Sequence, residues 1–128
     1  MKLNFVLNSS DACLDAPLSL DERNVLCFLL AKSHHITNHT IILLSRSGIN
    51  GLSFDGTLGT KERIKAIQIM SGLRYFFRYG DFEYSATWFE YIKRYDDGLK
   101  IKFSVSAVDM INRIGRKRMI ELLNKWGG

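Results

Sequence analysis

An α+β domain is predicted by three features of this chain. A capping box opens an apolar helix near the N-terminus, a second amphipathic helix carries Lys and Arg, and a β-hairpin with basic side chains follows it. A helix and then a basic hairpin is the order of a winged helix, in which a small antiparallel sheet with a hairpin wing packs against helices. The 128 residues fit one domain, 1–128, since a core of this size buries roughly two thirds of the unfolded surface.

Residues 2–7 alternate, with Leu3, Phe5 and Leu7 on one face, as a short strand does. Ser19 and Glu22 form S-x-x-E ahead of Val25, Leu26, Phe28, Leu29 and Leu30. The Ser hydroxyl takes an orphan amide and the Glu reaches back, so a helix runs from about Leu20 to Lys32. Residues 40–45 (TIILLS) are short, apolar and β-branched, a buried strand. Residues 47–60 hold Gly48, Gly51, Gly56 and Gly59 and read as loop, with at most one short element around 52–54.

Thr60 is the expected N-cap of a second helix reaching about Phe77. Ile64, Ile67, Met70, Leu73 and Phe77 form its apolar stripe. Lys61, Lys65, Gln68, Gly72 and Tyr75 line another stripe, with Arg74 and Arg78 near its end, and Gly80-Asp81 breaks it.

Residues 88–105 form the hairpin. Asp97-Gly98 reads as a two-residue type I′ turn, because Gly adopts positive φ without steric cost. Asp96 then faces Leu99, Arg94 faces Ile101, Ile92 faces Phe103 and Glu90 faces Val105. The other face pairs Lys93 with Lys102 and Tyr95 with Lys100, and alternation adds Phe89 and Tyr91 to it. Like charges directly opposite cost stability, so this face suits an anionic partner. The plainer reading is a solvated face whose lysines keep an edge from aggregating. Ser106 with Asp109 caps a following helix carrying Val108, Ile111 and Ile114, which Gly115 interrupts. Arg116, Lys117 and Arg118 then lead Met119, Leu122, Leu123 and Trp126 into a final basic amphipathic helix.

Charge is unevenly placed. Residues 1–60 carry 4 basic and 5 acidic side chains, whereas residues 61–128 carry 14 and 8. A basic half is the electrostatic footprint of a nucleic-acid partner, although an anionic membrane or an acidic protein attracts the same patch. An apolar fraction of 46% excludes a mainly disordered chain. No apolar run approaches the roughly 20 residues of a membrane span, and the N-terminal stretch is too short for a secretory signal, so a cytoplasmic protein is expected. Cys13 and Cys27 lack metal or redox spacing and are expected to be reduced and structural.

Catalytic and cofactor chemistry finds little support. GTLGTK at residues 56–61 invites a phosphate-loop reading, but Gly59 is followed by Thr60, Lys61 and then Glu62 where a magnesium-binding hydroxyl is needed. An anion contact at Thr60 and Lys61 stays open. His34, His35 and His39 lack the further ligand a metal shell requires and read as a solvated turn. No nucleophile and base stand at a telling spacing, so no enzyme, metal or cofactor is expected. Tyr75 to Tyr95 is rich in aromatics among basic residues, which suits either core packing or a stacking platform for single strands.

The stretch WFEYIKRYDDGLKIKFSVSAVDMI resembles the wing segment of plasmid replication initiator (Rep) proteins, where a tryptophan-containing strand, a turn, an I-x-F strand and a helix recur. Leu18, Leu20, Glu22 and Leu26 stand close to the early L-x-L-x-E-x-x-x-L helix of that family. The similarity spans about residues 18–114. It implies a winged-helix domain that binds origin DNA and associates through its hairpin. Those initiators generally carry two such domains, and this chain has length for one. It resembles the first, which in the family serves dimerisation and backbone contact more than sequence readout. A fragment, or a small plasmid or phage protein with the domain alone, is then expected.

The expected function is duplex DNA binding in plasmid or phage replication initiation or its repression, with a possible homodimer. Lys61, Lys65, Gln68 and Arg74 would face the groove, with Arg78 beyond them. Lys93, Lys100 and Lys102 would meet phosphates, and Arg116 and Lys117 would add charge from the last helix. The acidic tip, Asp96 and Asp97, argues against deep insertion of the wing. The alternative is a protein-interaction module that binds a host factor and has no DNA role.

Overall fold

The computed structural model describes residues 3–8 and 12–125, and it is an α+β fold. Its strands are β1 (Leu3–Asn8), β2 (Ala12–Leu18), β3 (Ile42–Leu44), β4 (Arg74–Tyr79), β5 (Phe82–Thr87), β6 (Phe89–Tyr95) and β7 (Gly98–Phe103). Its helices are α1 (Leu20–Lys32), α2 (Arg46–Asn50), α3 (Thr60–Ile69), α4 (Val105–Ile114) and α5 (Arg116–Lys125). Two antiparallel sheets form, in the orders β1-β2-β4-β5 and β3-β7-β6. One apolar cluster draws on both sheets and all five helices. No helix among the described residues is long and apolar enough to cross a membrane.

α1 has the predicted bounds and the predicted capping box. Ser19 Oγ accepts from the Glu22 amide at 3.2 Å, and the Ser19 amide donates to Glu22 Oε1 at 2.8 Å. Val25, Leu26, Leu29 and Leu30 bury the inner face, and α1 packs against α5. Residue 2 and Trp126 lie outside the described residues, so the first strand is described from Leu3 and the last helix to Lys125.

The second helix is shorter than the apolar stripe predicts. α3 ends at Ile69, a 3-10 turn takes Met70–Gly72, and Arg74–Tyr79 is a strand. The N-cap is Gly59 rather than Thr60. Leu73 and Phe77 suit a helix at i, i+4. They suit a strand equally, because Leu73, Tyr75 and Phe77 are buried while Arg74, Phe76 and Arg78 are exposed. Pairing of Phe77 with Leu14 and of Phe76 with Asp15 decides for the strand. Gly80, at φ 57°, turns β4 into β5 instead of ending a helix.

The hairpin turn lies one residue earlier than predicted. Tyr95 pairs with Gly98, so Asp96 and Asp97 form the connection, with Asp96 at φ 47°. Asp tolerates the left-handed region better than most residues. Gly98 is needed for another reason, since a Cβ there would collide with the carbonyl of Leu44 on β3. Moving the turn by one residue moves each cross-strand partner by two. Arg94 now faces Leu99, Ile92 faces Ile101 and Lys93 faces Lys100. Because strand faces alternate with period two, the inward and outward sets survive the shift. Phe89 and Glu90 are the exceptions, Glu90 pairing with Lys102 on the outer face. A bulge between Phe89 and Tyr91 turns Phe89 into the core, where it stacks on Phe103.

α2 occupies part of the glycine-rich stretch read as loop, capped by Ser45, whose Oγ accepts from the Gly48 amide. Five residues are too few for periodicity to register. The cap of α4 is Ser104 rather than Ser106, and Asp109 pairs instead with Arg113 at 2.9 Å. Gly115, at φ 97°, separates α4 from α5 as expected. Ser104 Oγ also donates to the Thr87 carbonyl at 2.7 Å while accepting from Ala107 N at 3.0 Å. Losing a cap and a second hydrogen bond together should make Ser104→Ala about 2 kcal/mol less stable. Urea unfolding reads this directly, and a loss under about 0.5 kcal/mol contradicts the double role.

Candidate nucleic-acid interface

The structure divides the predicted site residues among four surfaces. α3 buries Ile64 and Ile67, which leaves Lys61 and Lys65 exposed and Gln68 half-buried on its other side. α3 packs against β6. The result is a shallow groove lined by Lys61, Glu62, Ile64, Lys65, Gln68 and Arg94. Lys61, Lys65 and Arg94 bring three cations to it, and Gln68 adds an amide able to donate and accept. Glu62 offsets one charge, but its carboxylate lies over Gly59 at the start of α3, where the helix dipole favours an anion.

Arg94 was not among the residues singled out by sequence. The available signal was a charge on the apolar side of the hairpin, opposite an Ile in the expected register. Such an inward charge marks where the sheet runs past the core. Arg63 was also missed, and its role is to hold the loop before α3. It donates to the carbonyls of Leu58, Ile49 and Leu52 and lies 5.1 Å from the Phe54 ring centre. That loop is further tied to α1 by Asn24 to the Ser53 carbonyl and by the Asp55 amide to Asp21. Thr60 Oγ1 donates to Asn50 Oδ1, so its hydroxyl fixes α3 to α2.

Lys93, Lys100 and Lys102 stand on the outer face of the β3-β7-β6 sheet, the side opposite Ile92 and Arg94. Lys93 and Lys100 oppose each other directly. Their ammoniums diverge, since Lys93 Nζ lies 4.4 Å from the Tyr91 ring centre and Lys100 Nζ 5.1 Å from that of Tyr95. Lys102 pairs with Glu90 at 2.9 Å. These contacts ease the like-charge opposition that suggested an anionic partner, so the opposition alone no longer requires one.

Arg74 and Arg78 are not on α3. They belong to β4, on the exposed face of the other sheet, because residues 74–79 pair as a strand. Arg116 is engaged in the fold, its Nη1 donating to the Leu30 carbonyl at 2.9 Å in the last turn of α1. Lys117, beside it, is exposed.

Other chemistry is sparse among the described residues. No group of three or more His, Cys, Asp or Glu is placed to hold a metal. His34, His35 and His39 are exposed in the connection from α1 to β3, where Thr37 and Thr40 hydrogen-bond to each other. Cys13 and Cys27 are free, and burial pushes the Cys27 thiol up. Burial, and then the Asp109 charge, push Tyr84 up to about 12, and its hydroxyl donates to the Ser106 carbonyl. Arg113, paired with Asp109, covers the rings of Tyr79 and Phe82. This cluster ties α4 to the β4–β5 hairpin.

No protein-family model, no curated protein and no solved structure matches the chain.

Proposed function

We propose that this chain is a winged-helix module that binds duplex DNA through α3 and the adjoining flank of the β6–β7 hairpin. Connectivity carries the reading. Leaving aside β1, β2, the β4–β5 hairpin and α5, the elements run α1, β3, α2, α3, β6, β7, α4, and the second sheet has the order β3-β7-β6. That order sets the helix beside the hairpin and gathers Lys61, Lys65, Gln68 and Arg94 in one groove. Lysines and an arginine there supply phosphate contacts, which position a protein on DNA without reading its sequence. The role in plasmid or phage replication initiation or its repression rests on the resemblance of residues 18–114 to the initiators. β6 is an edge strand, and a second copy added along it would double the contacts on a palindromic site.

Titration against nonspecific duplex at two or more salt concentrations tests the proposal. With four to six phosphates neutralised, log K should fall with log salt at a slope of about −4 to −5. A flat response, or no binding at low salt, refutes it. That outcome would favour the protein-interaction module, which has its own observation: Ile41 and Leu43 are 50% and 47% exposed on or beside β3.

A further inference from the structure

We infer that the outer face of the β3-β7-β6 sheet is a second surface, separate from the α3 groove, that binds single-stranded nucleic acid. The rows across this face are Leu43, Lys100 and Lys93, then Lys102 and Tyr91, with Tyr95 opposite Gly98. Ile41 precedes β3 and is half exposed, as is Leu43. Lys93 and Lys100 are exposed, while Tyr91, Tyr95 and Lys102 are half-buried. The face therefore offers two rings, two aliphatic side chains and three ammoniums against one carboxylate, Glu90.

This composition selects among anionic partners. A duplex hides its base faces in the stack and offers phosphates, so it has no use for rings on a flat sheet. An extended single strand offers phosphates and free base faces together, and a basic surface interleaved with aromatics matches both. The carboxylates of Asp96 and Asp97 are confined to the hairpin tip and do not interrupt the rows.

The lysines over the tyrosines fit the same reading. An exposed cation–π contact is worth about 2- to 5-fold in an equilibrium, whereas a base stacked on an aromatic ring is worth roughly 5- to 150-fold. A base can therefore displace Lys93 from Tyr91 or Lys100 from Tyr95. Each freed ammonium then lies beside the strand it has admitted, within reach of a phosphate.

The test uses the whole chain and a fluorescein-labelled oligothymidylate, followed by anisotropy, with the matching oligouridylate as a second probe. Tyr91→Ala with Tyr95→Ala should weaken binding by at least about 25-fold, from about 5-fold per lost stack, whereas Tyr91→Phe with Tyr95→Phe should bind nearly as wild type. Lys61→Ala with Lys65→Ala should leave single-strand binding unchanged, which separates this surface from the duplex reading. Should the alanine pair fail to fold, Lys93→Gln with Lys100→Gln removes two exposed charges and should make the salt slope shallower by about 1.4. No binding of either oligomer, binding insensitive to both pairs, or loss in the Lys61 and Lys65 variant overturns the inference.

Discussion

Gly98→Ala is expected to cost about 3 kcal/mol or more of folding stability, at or above the usual upper end for overpacking. An added Cβ meets the Leu44 carbonyl oxygen, with the Leu44 carbonyl carbon and Ser45 Cα close behind. Backbone cannot rotate aside as a side chain does. Relief would require β3 to move off β7, where Leu44 pairs with Leu99 in the centre of the core. Gly98 is not among the positive-φ glycines, so without this contact the same change would be neutral or stabilising by up to about 1 kcal/mol. Asp96→Gly is the companion measurement. At φ 47° it places glycine where the backbone favours it, so it should be neutral or mildly stabilising. Urea midpoints for the two variants decide the matter, and a Gly98→Ala loss under about 1 kcal/mol would show that β3 and β7 are not so closely packed.

Removing all three cations of the α3 groove should have the largest effect on DNA. Lys61→Ala, Lys65→Ala and Arg94→Ala together should make the salt slope shallower by about 2.7, from about 0.9 per phosphate, and lower duplex affinity by about 10²- to 10³-fold at 0.1 M salt. All three side chains are exposed, and each substitution should change stability by under about 0.5 kcal/mol, so the fold survives as its own control. Arg74→Ala with Arg78→Ala is the contrasting pair. The sequence places both on the DNA-facing helix and the structure places them on β4, so duplex binding should stay near wild type. A strong loss in that pair, or an unchanged triple variant, would move the duplex site away from α3.

Local chemistry was legible wherever one residue type has one use. Ser19 with Glu22 fixed the start of α1 because both halves of a capping box lie within four residues. Gly115 was legible as the break between α4 and α5, where its φ of 97° is open to few other residues. In the hairpin, the alternation of apolar and basic residues determined which side chains face out, and it survived an error in the turn because strand faces repeat every two residues. Of the site, Lys61, Lys65 and Gln68 were legible as the face opposite Ile64 and Ile67.

Tertiary structure decided the rest. Residues 73–77 satisfy helical and strand periods together, and only a partner strand, β2, selects the second. The glycine of the Asp-Gly pair is explained by a carbonyl from a strand more than fifty positions away, a contact that no local pattern encodes. The bulge at Glu90 turned Phe89 inward against Phe103. Arg94 joined the groove because α3 came to rest against β6. By itself the sequence determined the capping box of α1, most of the sidedness of the β6–β7 hairpin and the basic character of its second half. The placing of those charges on separate surfaces was decided by long-range strand pairing, whose free energy comes from contacts that exist only once the chain has closed on itself.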